Sequence, residues 1–379
     1  MPFMNYLFVL DQYGAENNGV TVSARRYAAV LRARGHAVCI LSTGDCGPDG
    51  YSVRELRIPV FDKLIKSHGM VFGKAERPVV RWALDWADHV HFFMPFLLSI
   101  QTADQARRLG KSATAAFHVQ PQNITYSIGM GRWGWVNDFI FWLFRTDFYH
   151  KFRYIHCPSA FIAGQLKDHG YRADCRVISN GIAPELTFRR EAKPAEWQDR
   201  FVILMIGRLS GEKRQDVLIE AVKRSRYAGR IQLVLAGQGP KREAYLKQAA
   251  GLPHPLLIQF FSQEQLRDII ARCDLYVHTS DAEIEAMSCM EAFACGRVPV
   301  IADSPLSATP QFALDDRSLF RPGDPDSLAE KLDYWIEHPE ERLRMERVYS
   351  ESAKRYAIDT CVTQFESMVA DAREKGSWA

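Results

Sequence analysis

The chain has 379 residues, about twice the length of an ordinary domain, so two domains are expected. Its 47% apolar content can fill two cores, and it holds no run of about 18 uncharged apolar residues that would span a bilayer. The net charge of +3 hides an asymmetry, because residues 1–180 carry 21 Lys and Arg against 14 Asp and Glu (+7), and the remainder carries 27 against 31 (−4). A basic front half suggests an anionic partner on that side. Its charges are interleaved with apolar runs, which excludes the basic stripe of a nucleic-acid-binding protein.

Short apolar runs alternate with longer stretches of helical period, the pattern of a βαβ protein with parallel sheets. The opening MPFMNYLFVLDQYG lacks a basic leader, so no signal peptide is expected, and Tyr6–Leu10 reads as a first strand. Residues 21–34 predict a helix stopped by Gly35, followed by a strand over Ala37–Leu41. Further strands are expected at His89–Phe93 and Ala113–His118. A second series begins at Phe201, with strands over Val202–Ile206, Ile231–Ala236, Leu257–Phe261, Leu275–Thr279 and Val298–Ile301 and a helix over Gln215–Lys223. Pro184 and Pro194 mark a linker, which divides the chain into a front domain over 1–182, a linker over 183–199 and a back domain over 200–357. The eight cysteines form no CxxC pair and several lie inside apolar runs, so they read as reduced, buried thiols and not as metal ligands or disulfides.

Two turns and one helix carry the chemistry. Gly207-Arg208-Leu209-Ser210-Gly211-Glu212-Lys213 lies between a strand and a helix, where Arg208 and Lys213 could clamp a diphosphate. In Asp281–Gly296, Glu283 and Glu291 form an E-x7-E element, with a helix expected to begin near Ala286 and stop at Gly296. The positive end of that helix suits a phosphate beside Glu283, while Glu291, deeper along it, could reach a ribose diol. In the front half, Asn17-Asn18-Gly19-Val20-Thr21 opens a helix after the first strand, and Gly19 lets backbone approach a phosphate. Read without further context, the two glutamates are as well explained as solvated helix carboxylates.

Taken together, GRLSGEK, the E-x7-E element running into EAFACGRVPVI, and NNGVTVSARRYAAVLRARGHAV resemble glycosyltransferase family 4 over nearly the whole chain. The resemblance implies an α/β fold of GT-B type, two doubly wound Rossmann-like domains facing across a cleft. The last helix, within 358–379, would return to the front domain. It further implies transfer of a sugar from a nucleotide donor with retention of configuration and with no metal or other cofactor. Arg208 and Lys213 would bind the diphosphate, Glu283 the donor sugar hydroxyls, Glu291 the ribose, and Gly19 would lie against the phosphates. His118 resembles the family histidine that contacts the donor sugar near the reacting carbon, so His118 and Glu283 are the catalytic candidates. Glu285, Ala286 and Met287 complete the nucleotide-sugar site; here the chain departs from the family's Gly-Phe-Gly, carrying Ile284-Glu285-Ala286 instead. That variant is similar to the bacterial diacylglycerol glucosyltransferases, which implies UDP-glucose as donor and a lipid acceptor.

The acceptor side rests on Tyr126–Tyr154, which holds eleven aromatic residues and four Lys or Arg. On a helix, Val136, Ile140 and Leu143 share one face and Phe141, Phe148 and Phe152 another, so the segment is either sandwiched in a core or partly immersed in something apolar. Trp133, Trp135, Phe139 and Trp142 beside Arg132, Arg145, Lys151 and Arg153 suit the headgroup level of an anionic membrane. Phe61–Lys66 with Met70–Lys74 is a second apolar and basic candidate. The resulting expectation is a cytoplasmic enzyme, peripheral on the inner face of the cell membrane. Two rivals stay open, a saccharide acceptor and a nucleotide-sugar-binding protein without transfer activity.

Overall fold

The computed structural model describes residues 2–14, 19–48, 50–56, 71–127, 129–131 and 133–379. It divides into two compact units. The first comprises Met1–Thr125, Arg132–Gly181 and Ile358–Ala379, and the second Tyr126–Gly131 and Ile182–Ala357.

The first unit is built on seven strands, β1 (Asn5–Gln12), β2 (Ala37–Thr43), β3 (Tyr51–Val53), β4 (His89–Phe92), β5 (Ser112–Ala116), β6 (Tyr154–Cys157) and β7 (Asp174–Val177). All pair in parallel, in the order β3-β2-β1-β4-β5-β6-β7. The order reverses direction between β1 and β4, the place where doubly wound sheets open a crevice beyond their strand C-termini. The helices are α1 (Gly19–Ala33), α2 (Arg77–Trp86), α3 (Leu97–Arg108), α4 (Pro121–Ser127), α5 (Gly134–Asp147) and α6 (Ala160–Asp168). Gly35 ends α1 as its position suggests: it adopts φ +89°, and the Gly35 and His36 N–H groups return to the Arg32 and Leu31 carbonyls.

The inner strands are buried on both faces, which is why they read as near-continuous apolar runs. On one face Tyr6, Phe8 and Leu10 meet α1 and the C-terminal helix Ile358–Lys375. Phe365 of that helix lies 6.1 Å from the Tyr6 ring, 5.6 Å from Tyr27 and 4.9 Å from His91, centre to centre.

The second unit repeats the plan with β8 (Phe201–Ile206), β9 (Ile231–Ala236), β10 (Leu257–Gln259), β11 (Leu275–His278), β13 (Pro299–Ala302) and β15 (Leu319–Phe320) in the order β10-β9-β8-β11-β13-β15. A two-stranded ladder of β12 (Ala282–Glu283) and β14 (Leu306–Ser307) stands apart. Its helices are α7 (Gln215–Arg224), α8 (Arg242–Gln248), α9 (Gln263–Arg272), α10 (Met287–Ala294), α11 (Pro325–Glu337) and α12 (Pro339–Ser352). The direction of winding reverses between β8 and β11, so the loops after those two strands share one crevice.

Residues 183–199, expected as a linker, are fastened to this unit. The Glu191 N–H donates to the Ala271 carbonyl, Lys193 pairs with Asp274, and Arg190 donates to the buried Glu346 carboxylate. Glu346 also faces the fully buried Arg297, whose guanidinium holds the Cys273 carbonyl at 2.7 Å. Breaking such a buried group of charges on one side typically costs about 3–5 kcal/mol, so this stretch belongs to the folded body.

Candidate active site

After β8 the chain turns through Gly207, Arg208, Leu209 and Ser210 into one 3₁₀ turn over Gly211–Lys213, and Arg214 then takes a left-handed conformation (φ 54°) before α7 begins. The turn rests on the loop after β9. A Cβ on Gly237 would meet the Gly207 carbonyl oxygen at 2.0 Å, and one on Gly239 would meet the Leu209 carbonyl oxygen at 2.4 Å. Both glycines are therefore required for the two loops to touch, and the Leu209 N–H donates to the Gln238 carbonyl at 3.0 Å across that contact. Arg208 is half-buried, and its carbonyl accepts from the Gln215 side chain at 2.9 Å.

The loop after β11 brings Glu283 to the same crevice. Its carboxylate accepts from the Lys213 ammonium and from His278 Nε2 at 3.0 Å. His278 Nδ1 lies 3.2 Å from the Tyr276 hydroxyl, which is 3.0 Å from that of Ser288 on α10. His278 Nε2 donates to Glu283 and the Tyr276 hydroxyl donates to Ser288, so the imidazole is held between the carboxylate and the tyrosine and orients Glu283. Burial by itself would raise the Glu283 pKa, but Lys213 and His278 outweigh it and hold the group well below the usual carboxylate range. The result is a fixed anion inside the unit with an ammonium against it.

Glu285 is buried beneath this loop, and Ala286 caps α10 in a left-handed conformation (φ 62°). Met287 is the first residue of α10, and Glu291 lies one turn further along it, half-exposed. The helix ends at Ala294, where Gly296 (φ +86°) lets the Arg297 N–H return to the Ala292 carbonyl. The second unit thus brings Lys213 onto Glu283 and sets Arg208, Ala286, Met287 and Glu291 on the loops and helix that follow β8 and β11.

In the first unit, Gly19 is the exposed first residue of α1, and Asn17 and Asn18 lie outside the described residues. His118 follows β5 and is buried, its ring stacked on Phe93 at 5.6 Å and set edge-on to His156 at 5.4 Å. Burial, then the neighbouring His156, pushes its pKa well below that of a free imidazole, so His118 is neutral at pH 7. Its Nε2 has no hydrogen-bond partner within the described structure. Asp11, at the end of β1, is a residue that sequence reasoning missed. Its Oδ1 accepts from the Gly73 N–H at 2.8 Å, its Oδ2 is buried without a partner among the described residues, and burial lifts its pKa to about 7 against the pull of that N–H. Gly19 and Asp11 flank the end of β1, and Phe93 follows β4 across the reversal point of the sheet.

The aromatic segment becomes α5. Phe141, Phe144, Phe148 and Phe152 are buried, whereas Trp133, Trp135, Phe139 and Trp142 are exposed, Trp135 by 69% and Trp142 by 48%. Trp133 stacks on Trp135 (6.2 Å) and Phe139 on Trp142 (5.7 Å). Arg145 is half-buried and donates to the His169 carbonyl at 2.7 Å. Lys151 corrects the expectation of a headgroup-level cation: it is buried and paired with Asp104 at 2.6 Å. Arg132, Phe61–Lys66 and Met70 lie outside the described residues, and Phe72 meets Phe96 edge-on at 4.8 Å. Among the described residues no helix is long and apolar enough to cross a membrane.

The model of the family described as Glycosyltransferase Family 4 matches residues 17–186, and that described as Glycosyl transferases group 1 matches residues 188–350. The chain belongs to glycosyltransferase family 4. Alpha-monoglucosyldiacylglycerol synthase of Streptococcus pneumoniae is 25% identical over 313 residues, which are 77% of this chain and 69% of that protein. GDP-mannose-dependent alpha-mannosyltransferase of Corynebacterium glutamicum is 25% identical over 320 residues, 79% of this chain and 72% of that one. Sucrose-phosphate synthase from Thermosynechococcus elongatus superposes with a TM-score of 0.77 at 13% identity, over 98% of this chain and 100% of that structure. The fold of this family 4 glycosyltransferase is GT-B, with two Rossmann-like domains on parallel sheets.

Proposed function

We propose that this glycosyltransferase moves glucose from UDP-glucose, with retention of configuration, to a lipid acceptor such as diacylglycerol at the cytoplasmic face of a membrane. The observation that carries the lipid part is the exposed aromatic face of α5, since four rings turned to solvent on one short segment match an interfacial surface. The name of the pneumococcal relative supports the same acceptor.

Arg208 and Lys213 take the diphosphate, whose negative charge grows as the bond to the anomeric carbon breaks. Two fixed cations meet that charge, so no metal or other cofactor is assigned. Lys213 holds Glu283 through one of its three N–H donors, which leaves the others for phosphate oxygens. Glu283, fixed as an anion by Lys213 and His278, accepts from donor sugar hydroxyls. Glu285, Ala286 and Met287 line the donor beside it, and Glu291 takes the ribose diol. Gly19 lies against the phosphates and His118, neutral, offers a hydrogen bond to the donor sugar. The leaving phosphate accepts the acceptor's proton, so no side chain is assigned as general base. The name of the corynebacterial relative makes GDP-mannose the second donor to assay.

The test is kinetic. Arg208→Ala is expected to lower turnover about 100-fold or more, as loss of one charge-stabilising donor does, with the fold retained. Glu283→Gln is expected to lower transfer far more than UDP binding. Near-normal turnover in Arg208→Ala, or equal losses of transfer and UDP binding in Glu283→Gln, would remove the proposed donor site.

A further inference from the structure

A cavity of about 870 Å³ opens in the first unit at the edge of the sheet opposite His118 and Asp11, where β6 and β7 begin. Its lining carries five Lys or Arg, namely Arg145, Arg153, Arg172, Arg176 and Lys375, against a single acidic side chain, Asp174, with the terminal Ala379 also at its wall. Arg176 pairs with Asp174 and Asp371, each at 2.8 Å, and Lys375 pairs with Asp371 at 2.6 Å. Arg145, Arg153 and Arg172 have no carboxylate partner among the described residues. The arginines are placed by the local backbone. Gly170 (φ +73°) leaves the space that the Arg145 guanidinium occupies, 2.6 Å from where a Cβ would stand. Arg153 and Arg176 lie over the Tyr154 ring at 5.9 and 5.5 Å.

We propose that this cavity binds the phosphate of an anionic phospholipid headgroup, at a site separate from the one that takes the donor and acceptor. Three arginines without carboxylate partners, converging on one concavity, present the planar N–H forks that suit phosphate oxygens. The lipid source follows from α5. Arg145 stands three residues beyond Trp142, hence on the same helix face and about 4.5 Å further along the axis, so the exposed aromatic strip runs onto the cavity rim. Rings at the interface and a cationic socket beside them fit a headgroup whose acyl chains remain in the bilayer. The site rests on the membrane-surface part of the proposed function and not on the identity of the acceptor.

The experiment measures sedimentation of the full chain with vesicles of phosphatidylglycerol and phosphatidylcholine, and of phosphatidylcholine alone, alongside transfer to acceptor in detergent micelles. Arg172 forms no ion pair or hydrogen bond among the described residues, so Arg172→Gln removes charge and leaves the fold intact. Arg108→Gln, an equal charge change on α3 outside the cavity, is the control. Arg172→Gln is expected to weaken phosphatidylglycerol binding about fivefold, and Arg153→Gln with Arg172→Gln about 25-fold, the ratios for one and two basic residues at an anionic surface. Micellar transfer should stay unchanged. Equal losses in Arg172→Gln and Arg108→Gln would reduce the effect to diffuse surface charge and overturn the site, as would unaltered binding. Arg172-dependent binding of glycerol phosphate in solution, without a vesicle effect, would overturn the lipid source. Arg172-dependent vesicle binding in a chain that glycosylates no lipid would uphold this site and remove the acceptor assignment instead.

Discussion

Replacing Lys213 by Met separates the structural role of the Lys213–Glu283 pair from any role in catalysis. The Lys213 side chain is 19% exposed and that of Glu283 10%, so the pair sits where charge is costly to hold alone. With the ammonium gone, the Glu283 carboxylate keeps only His278 among the described residues, and an uncompensated buried partner typically costs about 3–5 kcal/mol at neutral pH. The pH dependence gives the sharper test. In the native chain the Glu283 pKa lies below its ordinary 4.5, so the pair's contribution is fully present above that value and is lost as pH falls through the folded pKa. In Lys213→Met burial dominates and the pKa moves above 4.5. The variant's deficit should therefore be largest at pH 7.5 and shrink as the solution is brought to pH 4.5, where Glu283 becomes protonated in the fold. Urea titration at both pH values, followed by amide exchange of β8 and β11, reads the second unit without interference from the first. A deficit of the same size at both pH values, or one that grows on acidification, would refute the pairing.

Asp11→Asn should stabilise the protein at pH 8 and do little at pH 4. The native carboxyl titrates near 7 in the fold and near 3.8 when unfolded, so native stability falls as pH rises between them, by up to about 4 kcal/mol at ~1.36 kcal/mol for each pH unit. Asparagine keeps the acceptor for the Gly73 N–H; equal melting shifts at the two pH values would contradict the burial argument. Ala286→Gly should raise the melting temperature of the second unit by about 2–8 °C, because a left-handed alanine costs about 1–2 kcal/mol. An unchanged or lower melting point would show that the strain is absorbed elsewhere. Joint replacement of Trp133, Trp135 and Trp142 by Ser should weaken vesicle sedimentation about 100-fold, each inserted ring contributing on the order of 1 kcal/mol. Thermal stability should hold, since all three are exposed; sedimentation equal to that of the native chain would exclude the aromatic strip from membrane contact.

The parallel α/β architecture was legible because strands such as Phe201–Ile206 and Ile231–Ala236 are buried on both faces and therefore appear as unbroken apolar runs. β7 was not. Asp174-Cys175-Arg176-Val177 lies at the sheet edge, half-exposed, and carries no apolar run to mark it. The two-residue strands β12 and β14 are too short to leave a period. Glu283 and Lys213 stood out from the turns that hold them, but their pairing joins positions 70 residues apart and leaves no local trace. His278 and Tyr276 sit in Leu-Tyr-Val-His, which reads as an ordinary buried strand although its polar atoms orient Glu283. Periodicity identified α5 as apolar on more than one face. Only the packing of Phe141 and Phe144 inward decides which aromatics remain outside.

Transfer by the purified chain is the most direct test of the central proposal. Radiolabelled UDP-glucose would be supplied with anionic vesicles, with and without diacylglycerol, and label recovered in the lipid phase would be counted. Lipid-soluble label that appears only with diacylglycerol, and is lost in Arg208→Ala, is the expected result. Donor hydrolysis without a lipid product, or lipid labelling from GDP-mannose and none from UDP-glucose, would contradict it.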